Sequence, residues 1–378
     1  MRGSALARTV ALALACLGGR AQEPGAEATP RPQGPVFYKP LPYGSSSEWT
    51  PLHSWITWAY DSQQIPESFD DWHLRERWGT VRWDLTHLGG AIRKRGSWAD
   101  FVNRQVFPYR MTEKDWIPNY ALHLLGGGMV HLKTKEWFEA QGVPLPWLAS
   151  ALWCASAELY QEVLEKSSTK PDDEIADLLI FRPAGFLLYS YEPFARWAAD
   201  TLRLEEWNHQ PMWDPDQPKA VNKRGRLVNV GQNFVVRPDL FGSARHRPFV
   251  YFGLTTVFGL SHRITATDSI SWGYGAAMRH AQDPTLTRPA GGLFWDRNGS
   301  LMASLILNGT DNLKARLNLY PGIVGEGRWW SPGLYVGLGD RRELQAGLTL
   351  RILPLGWAGS RGRRGIQVPN GEPATGHP

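Results

Sequence analysis

The chain has 378 residues, of which 42% are hydrophobic and 20% are charged. This composition supports a packed core, excludes a disordered protein and leaves room for two domains of ordinary size. The formal net charge is +5, but no basic stripe with interleaved aromatic residues is present, so we expect no nucleic-acid partner. The 19 tryptophans favour a membrane interface or protein contacts.

Residues 1–21 have the pattern of a secretory signal peptide. Arg2 and Arg8 form a basic start, residues 9–17 are apolar, and a small-x-small cleavage site ends at Ala21. The sequence therefore predicts export from the cytoplasm.

The two cysteines lead to separate expectations. Cys16 lies in "ALAC", which has alanine where a lipoprotein signal prefers leucine, and its lipidation is left open. Cys154 lies in the apolar run "SALWCASAEL", which predicts a buried structural thiol and not a nucleophile. Because cleavage leaves Cys154 alone, no intrachain disulfide is expected.

Residues 22–60 are rich in Pro, Gly and Ser, which predicts an extended arm and not a domain. From residue 61 to 207 the apolar residues recur with helical spacing, which predicts a Trp-rich helical domain. Its clearest helices are "IPNYALHLLGGGMVHLKTKEWFEAQG", "VPLPWLASALWCASAELYQEVLEK" and "PDDEIADLLIFRPAGFLLYS". In the second of these, one apolar face is predicted to consist of Leu148, Leu152, Ala155, Leu159 and Val163.

Gly126, Gly127 and Gly128 lie between His123 and His131 in an apolar run. The run has no GxGxxG or GKS/T pattern and is shorter than the roughly 20 residues of a membrane-spanning helix. The two histidines are about 12 Å apart on a helix, too far to share one metal ion. We therefore predict that the glycines are positions where another backbone packs closely.

His123, Glu158 and Asp177 lie on three consecutive apolar helices and could converge. Such a group could carry out general acid–base chemistry or bind a metal. It could also be a buried polar network that fixes helix register. The structural interpretation is favoured, with no metal and no cofactor.

Two further groups are weaker metal candidates. The first comprises Asp70, Asp71 and His73 in "FDDWH", where adjacent acids at a helix start usually cap the helix. The second comprises His209, Asp214 and Asp216 in "WNHQPMWDPD", a stretch with the composition of a solvated linker. The chain contains no GxSxG, HExxH or CxxC motif.

The order of these residues resembles an uncharacterised family of Gram-negative envelope proteins, known only as a domain of unknown function. That family has an Asn/His–Gly helix, a Trp/Glu helix and an Asp-Leu-Ile…Pro-x-x-Gly segment. More loosely, the order is similar to the VanZ-like family of small membrane proteins. The matching positions, over about 70 residues, are Asn119, His123, Gly127, Trp153, Glu158, Gln161, Ser168, Asp177, Leu178, Pro183 and Gly185. The resemblance implies an envelope location and a helical part followed by strands, and it implies no reaction.

Residues 208–226 have the composition of a linker, and residues 358–378 form a polar tail. Between them, over residues 227–357, apolar and polar residues alternate with period 2 between tight turns such as Asn298-Gly299. We count about eight strands of the length that a membrane barrel needs.

The alternation has two interpretations. In a barrel the apolar face meets lipid, whereas in a soluble sheet it packs on the helices. The signal peptide and the aromatic residues at strand ends favour a small barrel of about eight strands. Its outer face is predicted to carry Leu313, Leu317, Leu348 and Leu350, with Arg316 on the inner face.

The expected fold is α+β, with a helical domain followed by an antiparallel β-domain. The expected function is that of an exported structural or scaffold protein in the outer membrane or periplasm of a Gram-negative bacterium, in contact with membrane lipid. The alternative is an envelope hydrolase that acts on lipid or cell-wall substrate through His123, Glu158 and Asp177. The sequence names no protein partner.

Overall fold

The computed structural model of the protein describes residues 34–64, 74–107, 118–166, 173–216, 225–239, 245–280, 283–310, 313–339 and 343–361. Its first half is helical and its second half forms a 13-stranded sheet, which confirms the α+β class. The predictions for the signal peptide, Cys16, Asp70, Asp71, His73 and Ser168 lie outside the described residues.

Nine helical elements precede the sheet in the described ranges. They are α1 (Gly44–Glu48), α2 (Pro51–Ala59), α3 (Leu74–Thr86), α4 (Leu88–Arg95), α5 (Trp98–Phe101 and the π-helical Val102–Val106), α6 (the π-helical Pro118–Gly126 and Gly127–Ala140), α7 (Pro146–Glu165), α8 (Asp173–Ala176, the π-helical Asp177–Phe181 and Arg182–Ser190) and α9 (Glu192–Asp200). A 3₁₀ turn, Asp61–Gln64, follows α2.

The helical part begins inside the predicted arm of residues 22–60. Thr50 caps α2, because its side chain accepts a hydrogen bond from His53 N at 3.1 Å, and Pro51 occupies the first helical turn. The Pro- and Ser-rich composition that suggested an extended arm therefore reflects a helix start in this stretch.

The apolar face predicted for α7 is exposed in the first half of the helix and buried only at Val163. Leu148 and Leu152 are exposed, whereas Ser150, Cys154 and Glu158 are buried. Periodicity distinguishes the two faces of a helix but does not say which face is covered. Here α7 packs on α6 and α2, and its polar residues find partners across those contacts.

The sheet contains β1 (Glu205–Glu206), β2 (Met212–Asp214), β3 (Arg226–Val228), β4 (Phe234–Val236), β5 (His246–Phe252), β6 (Thr255–Arg263), β7 (Asp268–His280), β8 (Asp283–Arg297), β9 (Ser300–Leu307), β10 (Leu313–Leu319), β11 (Pro332–Gly339), β12 (Leu344–Leu350) and β13 (Gly356–Arg361). The strand order is β1-β4-β5-β6-β7-β8-β9-β10-β11-β12-β13-β2-β3. The described pairs are antiparallel apart from the parallel pair of β13 with β2.

The prediction of a barrel of about eight strands is wrong in number and in closure. The described sheet has 13 strands and two edges, β1 and β3, and it is not closed. The physical reason is that β1 to β4 come from a stretch without period-2 alternation, so that sequence pattern did not reveal them. Both edge strands are short. The segment that follows β1 is hydrogen-bonded to the segment that precedes β4: Trp207 N donates to Asn233 O at 2.8 Å, and His209 N donates to Gly231 O at 3.2 Å.

The predicted linker of residues 208–226 is largely part of the sheet where it is described. It contains β2 and the start of β3, and His209 and Asp214 are buried there. Polar composition indicated a solvated segment, but these side chains are paired inside the protein. At the other end, β13 extends to Arg361, so that the polar tail begins later than predicted.

The outward face of the sheet is apolar, and the inward face carries both polar side chains and buried aromatic residues such as Phe249 and Phe294. Leu317 and Leu348 are 36% and 48% exposed, whereas Arg316 is 1% exposed, as the alternation predicted. Leu313, also predicted to face outward, is 1% exposed, because a β-bulge between Leu313 and Ala315 reverses the alternation. Leu350 is half-buried.

The helical part meets the sheet through buried polar contacts. Asp61 Oδ1 accepts from Gln232 N at 2.6 Å, and Gly44 N donates to Pro321 O at 2.6 Å. The Phe234 ring packs against the backbone of Gly126. None of the described helices combines the length and the apolarity needed to cross a membrane.

Candidate functional site

His123, Glu158 and Asp177 meet inside the helical part. His123 lies in the π-helical start of α6, Glu158 in the middle of α7, and Asp177 at the first residue of the π-helical turn of α8. His123 Nδ1 lies 2.6 Å from Glu158 Oε1, and His123 Nε2 lies 3.8 Å from Asp177 Oδ2. All three residues are buried, and Glu158 is fully so. The convergence of the three helices thus places two carboxylates around one imidazole.

Two of these three residues occupy π-helical turns. A π-helical turn adds a residue to the helical repeat and is frequently found at functional sites. The start of the α6 turn is fixed by Asn119, whose Nδ2 donates to Gln105 Oε1 at 3.0 Å and to Gln105 O at 3.2 Å. The motif residue Asn119 therefore positions the helix that carries His123.

Arg182 orients Glu158. Its Nη2 donates to Glu158 Oε2 in a buried ion pair, and its Cζ lies 4.0 Å from the centroid of the Trp58 ring. The Trp58 and His123 rings in turn meet edge to face, with centroids 6.0 Å apart. One oxygen of Glu158 is thus held by a guanidinium, and the other faces His123.

The glycines allow this packing. A Cβ on Gly127 would lie 2.5 Å from Arg182 Nη1, and a Cβ on Gly128 would lie 2.7 Å from Gly185 O. Gly185 is restricted in the same way from the α8 side, since a Cβ added there would lie 2.6 Å from Leu124 O in α6. The structure therefore uses Gly126, Gly127 and Gly128 as sites of close approach, to a ring, a guanidinium and a backbone respectively.

Further carboxyl groups surround the three residues. Burial raises the pKa of Glu162 well above its usual value, and the like charges of Asp177, Asp173, Glu165 and Glu174 raise it further. Burial also raises the pKa of Asp61 to about 7, with Glu165 adding to the shift and the hydrogen bond from Gln232 N opposing it. The interior between α6, α7 and α8 is therefore rich in acids whose ionisation is costly.

The remaining residues of the predicted motif support the helices. Trp153 Nε1 donates to Pro51 O at 2.9 Å, and Gln161 Nε2 donates to Glu165 Oε1 at 2.8 Å. Pro183 begins the last segment of α8 and is exposed. Neither of these two hydrogen bonds involves the imidazole of His123.

The other sequence candidates lie away from this group. His131 is buried, with Nδ1 2.9 Å from Ser150 Oγ and its ring stacked on Phe186. His209 belongs to the sheet interior, where Arg316 Nη1 lies 2.6 Å from its Nδ1. Asp214 pairs with Ser360 near the parallel strand pair. Cys154 is buried, and burial raises the pKa of its thiol, as expected for a structural cysteine.

Sequence reasoning missed Arg182, Glu162 and Asp61. The signal for Arg182 was an arginine inside the apolar run "LLIFRPAGF", which indicates a buried cation that needs a carboxylate. Glu162 is one helical turn after Glu158, on the same face of α7. Asp61 gave no local signal, because its partner Gln232 is far away in the chain.

The donor atoms of His123, Glu158 and Asp177 lie within 4.8 Å of one another. One imidazole nitrogen and two carboxylates can hold a divalent metal ion, or pass a proton between the carboxylates through the ring. Comparison of the chain with protein families, curated proteins and solved structures gives no match.

Proposed function

We propose that the protein is an exported structural or scaffold protein whose sheet contacts lipid of the outer membrane, with the helical part on the inner side of the sheet. The observation that carries this proposal is the apolar outer face of the sheet. Exposed apolar side chains lie on that face, whereas the inner face carries buried polar side chains beside a cluster that includes Phe249 and Phe294. In a soluble sheet that packs against helices, the outer face is polar and meets water.

The apolar face extends over neighbouring strands from β6 to β13. Its exposed members include Leu260, Trp272, Leu293, Leu307, Leu317, Leu334, Val336, Leu338, Leu344, Leu348 and Trp357. Soluble monomers rarely expose so many adjacent apolar side chains, since each stays in contact with water. Lipid is the environment that removes this cost for a whole sheet face.

The inner face supports the same proposal. Ser271, Ser304, Arg316, Asn318, Gln345 and Thr349 are each buried there. Several of these side chains have polar partners within the protein, as in the pair of Asn229 Nδ2 with Asn318 Oδ1 at 2.7 Å and that of Tyr335 OH with Gln345 Oε1 at 2.6 Å. Alternation of lipid-facing apolar and interior polar residues is the pattern of strands that lie in a membrane.

A spin label tests the proposal directly. Ala346 lies on the outer face of β12 and is exposed, and Ala266 is exposed in the turn after β6. We expect a nitroxide at Ala346→Cys in native membranes to collide with oxygen more than with a water-soluble nickel chelate. A label at Ala266→Cys should show the reverse preference.

The proposal fails if the Ala346 label is as accessible to the nickel chelate as the Ala266 label. It also fails if the exported protein stays soluble and monomeric without detergent, because the apolar face then tolerates water.

The hydrolase alternative requires a substrate to reach His123. The side chains of His123 and Asp177 are 9% and 5% exposed, and that of Glu158 is fully covered. This burial favours a structural role over catalysis. Hydrolysis of lipid or peptidoglycan that is abolished in a folded His123→Gln variant would favour the enzyme instead.

A further inference from the structure

We propose that His123, Glu158 and Asp177 form a buried binding site for one divalent first-row transition metal ion that joins α6, α7 and α8. This inference is independent of the membrane proposal, since it concerns only the interior of the helical part.

The first observation is the state of the facing atoms. His123 Nδ1 and Glu158 Oε1 are 2.6 Å apart, yet neither forms a properly aligned hydrogen bond within the described part of the chain. A buried lone pair without a hydrogen bond is costly, so such atoms need another partner. Two lone pairs that point at a common cation satisfy both atoms at once.

The second observation is the backbone. His123 and Asp177 come from separate helices, and each lies in a π-helical turn. Such turns displace a side chain relative to a regular α-helix, and they frequently occur at functional sites. Both helices therefore depart from regular geometry at the residues that would be ligands.

The third observation is the support around Glu158. Arg182 holds Oε2 and stacks over Trp58, which leaves Oε1 directed toward His123. Ligating carboxylates are commonly fixed in this way by a hydrogen-bond donor on the second oxygen.

The geometry requires a modest adjustment. Two donors on one tetrahedral zinc ion, each at about 2.1 Å, lie about 3.4 Å apart. The donor atoms here span up to 4.8 Å. Glu158 Oε1 must move about 0.8 Å away from His123 Nδ1, from which it lies 2.6 Å, and the Asp177 carboxylate must approach by about 1 Å. Rotations about the side-chain bonds supply both shifts.

The ligand chemistry selects the metal class. Imidazole suits zinc, iron, nickel and copper, whereas a set made only of carboxylates suits magnesium, calcium and manganese. A mixed set of one nitrogen and two carboxylates therefore favours Zn²⁺ or Fe²⁺ over Mg²⁺ and Ca²⁺. Zn²⁺ is the probe of choice, because it has no redox chemistry that complicates binding.

The experiment measures metal uptake by the full-length protein in detergent. Protein stripped with EDTA is given Zn²⁺, and bound metal is counted by mass spectrometry while the melting temperature is followed. We expect one equivalent per chain and a melting temperature that rises with zinc concentration. Mg²⁺ at the same concentration should leave the melting temperature unchanged.

Variants locate the ion. Asp177→Asn, Glu158→Gln and His123→Gln should each lower zinc affinity at least tenfold. His131→Gln is the matched control, since His131 is also buried in α6 but contacts Ser150 and Phe186. It should keep wild-type affinity.

A spectrum of the wild-type protein covers the case in which a variant does not fold. Co²⁺ in the site should show weak visible bands without a thiolate charge-transfer band, because Cys154 is not in the ligand set. The inference is overturned if folded, stripped wild-type protein takes up neither Zn²⁺ nor Co²⁺. It is also overturned if the ligand variants bind zinc as the wild type does. In those cases His123 is an imidazole held between two carboxylates.

Discussion

At the scale of single residues, Glu206 joins the helical part to the sheet. Its carboxylate accepts hydrogen bonds from five side chains at 2.6–3.1 Å, those of Trp49, Ser54, Lys133, Asn208 and Gln232. Lys133 is buried beside it at 2.9 Å. A buried cation that loses its carboxylate is left without compensation, which makes this position sensitive to substitution.

We expect Glu206→Gln to lower the free energy of unfolding by about 3–5 kcal/mol, because it leaves the Lys133 charge buried and unpaired. Denaturant unfolding in detergent measures the effect. The double variant with Lys133→Met should recover part of the loss, since it removes the unpaired charge. Equal instability of the single and double variants would contradict this explanation.

Asp61 should make stability depend on pH. Its pKa is raised from 3.8 to about 7, first by burial and then by Glu165. Between about pH 4 and pH 7 the folded state therefore keeps a proton that the unfolded state has released. Wild-type stability should fall as pH rises through this window, by on the order of 1.4 kcal/mol per pH unit, and then level off.

Asp61→Asn removes this titration while it keeps an oxygen that can accept from Gln232 N. The stability of the variant relative to wild type should therefore be greater at pH 8 than at pH 5. Urea unfolding of both proteins at the two pH values measures this difference. If the difference between the two proteins is the same at both values, Asp61 does not titrate as proposed.

At the scale of elements, the crossing of α6 and α8 depends on two facing glycines. The Cα of Gly128 would lie 3.2 Å from a Cβ on Gly185, and a Cβ on Gly128 would lie 2.7 Å from Gly185 O. Because backbone atoms cannot rotate away, the helices must separate to accept a side chain. Close contact of this kind allows three helices to bring His123, Glu158 and Asp177 together.

We expect Gly128→Ala to destabilise the protein by about 1–3 kcal/mol through overpacking. Gly79→Ala is the matched control, because Gly79 lies inside α3 and a Cβ added there would meet nothing within 4 Å. It should be neutral or stabilise by about 0.5–1 kcal/mol, since alanine is the better helix former. Thermal melts compare the two, and a neutral Gly128→Ala would show that the crossing adjusts freely.

The strands give a second prediction at this scale. On the proposed lipid face, Leu317→Arg should cost about 2–4 kcal/mol near the bilayer midplane and reduce the fraction assembled in membranes. Ala266→Arg, in an exposed turn, should assemble normally. Normal membrane assembly of Leu317→Arg would argue against lipid contact.

Strict alternation suggests that Arg316→Leu is tolerated, because Arg316 would then line a water-filled interior. The structure leads to the opposite expectation, since Arg316 is 1% exposed and its Nη1 lies 2.6 Å from His209 Nδ1. Its loss should cost about 1–3 kcal/mol through the polar groups left without partners. Denaturant unfolding beside wild type measures this cost.

At the scale of the whole molecule, the proposed membrane contact requires export. The basic, apolar and small-residue pattern at the start predicts cleavage after Ala21. Intact-mass measurement of the protein from the envelope fraction should show the loss of about 21 residues by this geometry. A cytosolic pool that retains Met1 would contradict it, and an extra lipid mass on Cys16 would favour the lipoprotein alternative.

The sequence by itself determined the local structure of much of this protein. Helical spacing predicted that α6, α7 and α8 are helices and that the three glycines of α6 are positions of close packing. Such predictions are possible because periodicity and turn geometry depend on only a few neighbouring residues. Period-2 alternation gave the strands from β9 to β12 and the opposite faces of Arg316 and Leu317, for the same reason. The sequence also identified His123, Glu158 and Asp177 as ionisable residues in apolar helices, which need polar partners when they are buried.

Tertiary structure alone decided which surfaces are covered. Leu152 is exposed and Glu158 buried on one helix, and Leu313 turns inward at a bulge that no local signal marks. His209 and Asp214 lie inside the protein although their segment has the composition of a linker, and β1 to β4 enlarge the sheet to 13 strands. Each outcome depends on partners far away in the chain, such as Arg316 for His209. Periodicity records the spacing of side chains along one segment, whereas burial depends on which other segment packs against it.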